Sequence, residues 1–523
     1  MISSMAETKG FSWGDFPFNP TQTILLLLVV VIILYPLSRA LYNVSPFHPL
    51  SKIPGPKVWA ATRFPFINSL LRGKMVHDIQ RLHSLYGPIV RIAPDEVTFS
   101  HPSAWADIFS AERDFIKDEV WFKAQPGQTE SIVSAIDPVL HSRIRKAISP
   151  AFSRRALKGQ EKHVRRYVDL LVGRLRGLIP APINQIEVDI GPWFNFATFD
   201  ILGDLAFGES FDCLQSAKLH GWVEMVFGSV KAAPFVVATR YFHPLIERWL
   251  MKLVPPKLKK MQWEHFELIG KKVERRMNYE MLREDMMDCV IRGFQEGAQG
   301  GLDKGEINAT FMVLATAGSE TTATALSGVM SYLIKEEMKG VLNKVTAEVR
   351  GAFESEEEMT VDSLKKLEYL NAVLMEGLRL CPPLPWMLPR RVPPGGAMVC
   401  GVWLPGGTPV SIQAYSMNRE PRYWARADEY LPERWLNDAC SNPKSPFFGD
   451  QRHGLQPFSV GPRSCIGQNL AWVEMRLILA KLLWSFDFEA PADKSKRLDW
   501  DTLRTFLFVE KRPIRVTIKP RSE

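Results

Sequence analysis

Residues 458–467 read Phe-Ser-Val-Gly-Pro-Arg-Ser-Cys-Ile-Gly. Cys465 stands between a loop broken by Gly and Pro and a segment with helical apolar spacing (Leu470, Val473, Leu477, Ile478). A thiolate there faces the start of a helix, where free backbone N–H groups and the dipole favour an anion. A cysteine so placed stays deprotonated and ready to ligate a metal. Gly461 and Gly467 let backbone approach a flat ligand closely, and Arg463 offers a fixed charge to a carboxylate. Read on their own, the same residues also suit a buried structural cysteine beside a turn. That is the reading given to Cys213, Cys289, Cys381, Cys400 and Cys440, since a free cysteine is commonly just a small buried hydrophobe.

A second chemical stretch is Ala315–Thr324, Ala-Thr-Ala-Gly-Ser-Glu-Thr-Thr-Ala-Thr, inside a helical pattern expected over 307–335. Helical spacing puts Thr310, Leu314, Ala317, Gly318, Thr321 and Ala325 on one face. Small Ala317 and Gly318 would leave room for a planar cofactor and a diatomic ligand. Thr321 can bond a backbone carbonyl and open the helix locally, with ionisable Glu320 beside it. A threonine-rich core helix with a satisfied glutamate is the alternative. Further along, Glu376 and Arg379 share a helix face at i, i+3, and Pro432-Glu433-Arg434-Trp435 supplies a second arginine. His141 and Arg145 stand at i, i+4, and Arg390 lies in Leu-Pro-Arg-Arg-Val-Pro-Pro-Gly-Gly, with Arg391 adjacent.

These stretches, in this order, resemble the cytochrome P-450 family. Residues 458–467 match its Phe-x-x-Gly-x-Arg-x-Cys-x-Gly loop at every specified position, and 317–322 match its Ala/Gly-Gly-x-Asp/Glu-Thr-Thr helix. Glu376–Arg379 and 432–435 match its Glu-x-x-Arg and Pro-Glu-Arg-x motifs. The resemblance implies a mainly α fold with a small β region, and haem b (iron protoporphyrin IX) with Cys465 as axial thiolate. Thiolate ligation pushes electron density onto haem iron and favours O–O cleavage. It further implies that Phe458, Arg463, Gly467, Ala317 and Gly318 surround the haem. Thr321 would assist oxygen activation, and Glu320 would belong to the proton-relay region. His141, Arg145, Arg390 and Arg463 would neutralise the two haem carboxylates. Glu376, Arg379 and Arg434 would form a buried network bracing the Cys465 loop.

The elements that must position these groups follow from the rest of the chain. Its 523 residues, 46% hydrophobic and 23% charged, are those of a globular protein with a sizeable core. No CxxC pair, zinc spacing or CxxCH attachment motif occurs, which fits a reducing compartment and a haem held without thioether bonds. Ile24–Leu34 is continuously apolar, and counting from Thr21 gives enough length to span a bilayer. The expected division is a short lumenal tail (1–20), a transmembrane anchor (21–41), a stiff, extended proline-rich hinge (42–57) and the haem-thiolate catalytic domain (58–523). A cleaved signal peptide ending at Ser38-Arg39-Ala40 is the competing reading, weakened by a poorly basic leader. Arg39, Lys52, Lys57 and Arg63 follow the span and only Lys9 precedes it. The positive-inside tendency therefore puts the body in the cytosol, and the resemblance puts the anchor in the endoplasmic reticulum membrane. The sequons at Asn43 and Asn308 read as chance matches. Helix is expected over 76–86 and through most of 140–345, with short strands at 89–92, 96–99, near 397–402 and at 409–412.

The net charge is +8, and Arg143, Arg145, Lys146, Arg154, Arg155, Lys158, Lys162, Arg165 and Arg166 crowd one region. No nucleic-acid motif accompanies them. The resemblance implies that they dock an acidic flavin-containing NADPH-cytochrome reductase, with cytochrome b5 as a further candidate donor. The implied activity is that of a membrane-anchored monooxygenase. It hydroxylates or epoxidises a lipophilic small molecule with O₂ and two electrons. In Phe-Asp-Ile-Leu-Gly-Asp-Leu-Ala-Phe-Gly (199–208) and Leu-Pro-Arg-Arg-Val-Pro-Pro-Gly-Gly the chain resembles the fungal branch of the family, which tailors secondary metabolites. Two other readings stay open: a haem-thiolate enzyme of rearrangement, ring formation or oxidative coupling, and a non-catalytic haem sensor. An apolar substrate pocket is expected from 115–135, from 220–250 (Phe227, Phe235, Phe242) and from residues after Pro382.

Overall fold

The computed structural model describes residues 20–124, 127–221, 233–242, 244–252, 256–278, 285–295 and 301–521. Phe227 and nearly all of the expected lumenal tail lie outside them. The described chain is mainly helical, with small sheets. The helices that matter to the site begin where the sequence supplies caps. Asp137 accepts from the N–H groups of Val139 and Leu140 to start α1, Pro138–Ile148, and Ser153 caps α2, Arg154–Leu178. Asp189 caps α3, Ile190–Phe207, which stops at Gly208 in the left-handed conformation. Asp303 and Glu306 form a capping box at the head of α4, Lys304–Leu333. Each such cap satisfies backbone donors that the helix itself cannot. Two further helices are α5, Glu368–Leu380, and α6, Gln468–Ser485. Helix α3 is buried almost throughout and packs along α4, while α6 crosses both α2 and α4.

Among the described residues three small sheets flank the helices. In chain order the strands are β1 Ile89–Ala93, β2 Glu96–Phe99, β3 Ile116–Lys117, β4 Ile186–Asp189, β5 Met387–Arg391, β6 Ala397–Val399, β7 Val402–Leu404, β8 Pro409–Ile412, β9 Phe486–Glu489 and β10 Arg515–Pro520. The largest sheet runs β1-β2-β8-β5-β3, and β4-β10-β9 and β6-β7 form the others. Strands β3, β4, β5, β9 and β10 were not read from the sequence, because two to six residues whose partners are distant in the chain carry little periodicity of their own.

Among the described residues one helix, Thr21–Val44, is long and apolar enough to cross a membrane. A π-turn at Val30–Leu34 lies just before Pro36. Proline lacks an N–H and its ring clashes with the carbonyl four residues back. The wider turn accommodates both defects inside an otherwise continuous helix. The hinge departs from expectation: instead of an extended spacer it is a run of turns docked on the body. Leu50 and Ile53 are buried, and the Arg91 N–H donates to Pro54 O at 2.8 Å. Gly55 sits so close under β1 that a Cβ would lie 2.4 Å from Arg91 O. Asn43 is buried, its amide donating to Ala61 O at 2.9 Å, which leaves that sequon inaccessible.

Arg379 grips Glu376 with two bonds of 2.9 and 2.8 Å, and Arg434 reaches the same carboxylate at 3.0 Å. The Leu431 N–H and the Trp435 indole complete its shell, both at 2.9 Å. Arg379 also spans to the carbonyls of Asn418 and Ala427, both at 2.6 Å, and Arg434 to Asp450. All three motif side chains are fully buried. Burial pushes Glu376 up, but the two guanidiniums outweigh it and hold the carboxyl below its usual range. Removing one partner of such a network strands the others' charge, at about 3–5 kcal/mol. Arg434→Leu is therefore expected to lower the thermal midpoint sharply or prevent haem retention, while Lys344→Leu, on the exposed side of Glu433, leaves both near wild type in the same unfolding scan.

Candidate active site

One cavity of about 1470 Å³ gathers most of the residues singled out from sequence. His141, Arg145, Ala317, Gly318, Thr321, Arg390, Phe458, Arg463, Cys465 and Gly467 all line it. So do residues of 115–135 (Trp121, Phe122), of 220–250 (Phe235, Phe242) and those after Pro382 (Leu384, Trp386).

Cys465 is set by its loop. Its N–H donates to Phe458 O at 2.8 Å, and the Phe458 ring lies 6.1 Å from Trp472 on α6. Gly461 has φ +75°, and a Cβ there would lie 1.9 Å from Phe109 O. Only glycine fits this turn. The Cys465 sulfur opens onto the cavity, although protein surrounds it on its other sides. Burial pushes its thiol up, opposed by the N–H groups of Gly467 and Gln468 and by Arg145. A cation at the sulfur would complete the anion's stabilisation.

The far part of the lining is α4. The Thr321 hydroxyl donates to Ala317 O at 2.7 Å, the i−4 bond expected of it. Thr316 and Thr322 do the same toward Met312 and Gly318, both at 3.2 Å. Two expectations for this helix change. Glu320 does not line the cavity: consecutive helical residues point about 100° apart, and its carboxylate turns to the far side. There Lys511 Nζ meets its two oxygens at 2.9 and 3.0 Å and Asn195 Oδ1 at 2.9 Å. Burial raises the Glu320 carboxyl, and Lys511 opposes the rise. Gly318 borders the cavity, but the volume its missing Cβ would fill belongs to Leu202 of α3, 3.0 Å away. Its smallness serves helix packing rather than cofactor space. Thr310 is buried and outside the cavity lining, where Ala309, Met312 and Val313 take its place.

The basic residues form a cluster that sequence reading left incomplete. Lys117 belongs to it, carried by two-residue β3, which pairs with β5 so that Lys117 faces Arg390 directly. Like charges opposed across a sheet are destabilising. The Lys117 ammonium donates to Ile132 O at 3.3 Å and also to Val133 O, both neutral. Arg463 donates to Ala135 O and Ile136 O at 2.6 and 2.7 Å, and Arg145 to Ser464 O at 2.7 Å. Among the described residues no carboxylate comes within ion-pair distance of any member, and Arg390 Nη1 is buried without a partner. Burial and mutual repulsion push His141 down to about 3, Lys117 to about 6 and Arg390 to about 9. A cluster so short of negative charge suits a ligand with two carboxylates, and with the thiol-lined, glycine-bordered cavity it suits haem.

The chain belongs to the cytochrome P450 family. Its family model matches residues 54–516. Similar curated proteins include averantin hydroxylase of Dothistroma septosporum, 40% identical over 493 residues covering 94% of this chain and 90% of that one. Averantin hydroxylase of Aspergillus parasiticus is 38% identical over 506 residues, covering 96% and 99%. Cytochrome P450 monooxygenase atr2 of Stereocaulon alpinum is 37% identical over 509 residues, covering 97% of each. The protein is thus a haem-thiolate monooxygenase.

Glu474 was also missed. It lies on α6 against Thr322, lines the cavity, and has one buried oxygen without a partner. Burial pushes it up to about 8, with Thr322 in opposition. Its folded form thus holds a proton that the unfolded chain, near the ordinary carboxylate range, releases. Stability from this residue is therefore full at low pH and lost as pH rises from the ordinary range through about 8. Glu474→Gln is expected to raise the thermal midpoint, by more at pH 8.5 than at pH 5.5, in scans of the two proteins side by side.

Proposed function

We propose that this protein is a single-pass enzyme of the endoplasmic reticulum membrane, with its catalytic body in the cytosol. It hydroxylates a lipophilic small molecule of fungal secondary metabolism. The observation that carries this reading is one largely apolar cavity shared by Cys465, Thr321 and a cation cluster without acids. The hydroxylase names of two relatives support hydroxylation as the outcome. The apolar Thr21–Val44 helix supports anchoring, and the basic residues that follow it support the orientation.

Haem b would be held by the Cys465 thiolate, with its carboxylates at Lys117, His141, Arg145, Arg390 and Arg463, and when bound it supplies reductive activation of O₂ and transfer of one oxygen atom. The chain's own part is to shape and to protonate. Thr321 holds a hydroxyl at the cavity wall that can trade its bond to Ala317 O for one to a group in the cavity. Glu320 enters a proton relay only on leaving Lys511, since its carboxylate now faces away. Ile67, Leu71 and Phe508 keep the space apolar and dry.

Electrons would come from an NADPH-dependent reductase, or in part from cytochrome b5. Arg154, Arg155, Lys158 and Lys162 stand exposed at the start of α2. That start adjoins the Cys465 helix: Asn469 donates to Phe152 O at 3.5 Å. Arg143 is not available for docking, being paired with Glu306, and Arg145 turns inward. Charge reversal at Arg154 and Arg155 is expected to slow reduction by reductase about tenfold at low salt and to remove its ionic-strength dependence, followed by stopped-flow absorbance.

The decisive experiment is co-expression with a reductase. The reduced protein with carbon monoxide should show the red-shifted Soret band of thiolate ligation, absent in Cys465→Ala. Feeding aromatic polyketides under ¹⁸O₂ should give a product one ¹⁸O heavier. Unlabelled rearranged or coupled product would instead overturn oxygen insertion.

A further inference from the structure

The charged side chains that line the cavity fall into distinct groups. Lys117, His141, Arg145, Arg390 and Arg463 form the cluster assigned to the haem carboxylates, and Glu474 lies against Thr322. Lys123 and Arg240 remain. Lys123 is exposed, as a solvated rim residue would be. Arg240 is half-buried, on a segment (233–242) whose Phe235, Val237 and Phe242 also line the cavity.

Arg240 is held in place but not neutralised. Its Nη1 donates to Val120 O at 3.1 Å. The next residue on each chain segment is fixed as well: the Trp121 indole donates to the Tyr241 hydroxyl at 2.8 Å. Trp121 packs edge-on against Trp386 at 4.6 Å, and Arg63 lies 4.2 Å over the Tyr241 ring. The nearest opposing acid, Glu247, is felt through space without reaching ion-pair distance, and burial outweighs it in lowering the Arg240 pKa. Among the described residues no carboxylate contacts it, and a guanidinium so placed in a mostly apolar wall carries a desolvation cost that a mobile anion would relieve. Its donors beyond Nη1 form a planar fork suited to an oxyanion, and the bond to Val120 O, with the Trp121–Tyr241 contact beside it, fixes the segment that carries that fork before any ligand arrives.

We propose that Arg240 anchors the substrate through an anionic oxygen, a carboxylate or an ionised phenol, carried by an otherwise lipophilic molecule. The apolar remainder then lies along Ile67, Leu71, Phe122 and Phe508 within the cavity that Thr321 lines. This rests on the reading of that cavity as the monooxygenase's substrate pocket. It adds that the substrate has a charged end and that recognition of that end is separate from the haem carboxylate cluster.

The test is Soret titration of the full-length haem-loaded protein in detergent micelles with 1-pyrenebutyric acid, its methyl ester and 1-hydroxypyrene. The wild type is expected to bind the acid about tenfold more tightly than the ester, or to bind hydroxypyrene more tightly as pH rises through the ionisation of its phenol. The first result identifies a carboxylate substrate and the second a phenolate. Arg240→Gln, which can still donate to Val120 O, is expected to bring acid and ester within about twofold and to flatten the phenol's pH response, with ester affinity unchanged. Arg240→Lys should keep most of the preference, and Lys123→Gln all of it. The anchor is overturned if the wild type prefers neither anion, if the preference survives Arg240→Gln, or if Lys123→Gln abolishes it. In those cases a normal carbon monoxide band and ester binding leave the monooxygenase reading standing. A wild type lacking that band overturns both.

Discussion

One buried carboxylate carries much of the architecture around the metal-ligating loop. Glu376 accepts from two guanidiniums, a backbone N–H and an indole, so its oxygens are fully engaged in a fully buried place. The arginines then spend their remaining donors on carbonyls of 418–429 and on Asp450. That ties α5 to the irregular stretch of chain leading to residue 458. Irregular backbone cannot satisfy its own carbonyls as a helix does, and fixed planar donors from a neighbouring helix do it instead. Hydrophobic replacement would suit the volume but would leave those carbonyls without donors, which is a physical reason for charge at the centre of a core.

The cavity shows the opposite arrangement. There, cations are brought together with no carboxylate within ion-pair distance among the described residues, and two of them, Lys117 and Arg390, are set opposite each other on adjacent strands. A folded protein carries such an imbalance only where something else supplies the negative charge. The buried orphan donor on Arg390 states the same requirement at a single atom. The site is thus assembled from two electrostatic motifs of contrasting kind: a closed network that needs nothing from outside, and an open one that is incomplete without its ligand.

The cysteine loop, the α4 motif and the Glu376–Arg379 pair were legible in sequence because each lies within a few residues of one element; Arg434, 58 residues beyond Glu376 on another element, joined that pair only through the family resemblance. Helix Met75–Tyr86 and strand Glu96–Phe99 were equally legible from local period. Lys117 was not, because its role depends on pairing with a strand some 270 residues later, and a two-residue strand has no period to read. Glu474 was hidden in an apolar helical run, where burial alone raises its proton affinity. Glu320 shows a different limit. Adjacency to Thr321 suggested a shared task, while helical geometry sends neighbours to different faces, and only the fold shows Lys511 waiting on the far one. The turn-rich hinge misled for a related reason: proline forbids helix but does not by itself choose between extension and turns, and burial of Leu50 and Ile53 decided it.

The two faces of α4 then define how chemistry and recognition are kept apart. On the cavity side are apolar, small or hydroxylated residues, from Ala309, Met312 and Val313 to Ala317 and Thr321, none of them charged, so nothing on this helix competes with a ligand for the cations of β3 and β5. On the rear side, Glu320 is held by Lys511, which follows cavity-lining Leu507 and Phe508 in the same tight turn of chain, closed by the Phe506 N–H on Phe508 O at 3.1 Å. The segment that lines the pocket at Leu507 and Phe508 therefore runs on to the lysine that holds Glu320, while Glu320 itself stays out of the lining. Separation by a helix's thickness keeps a carboxylate out of an apolar site where it would repel an anionic substrate, yet leaves it one side-chain movement from the hydroxyl that borders that site.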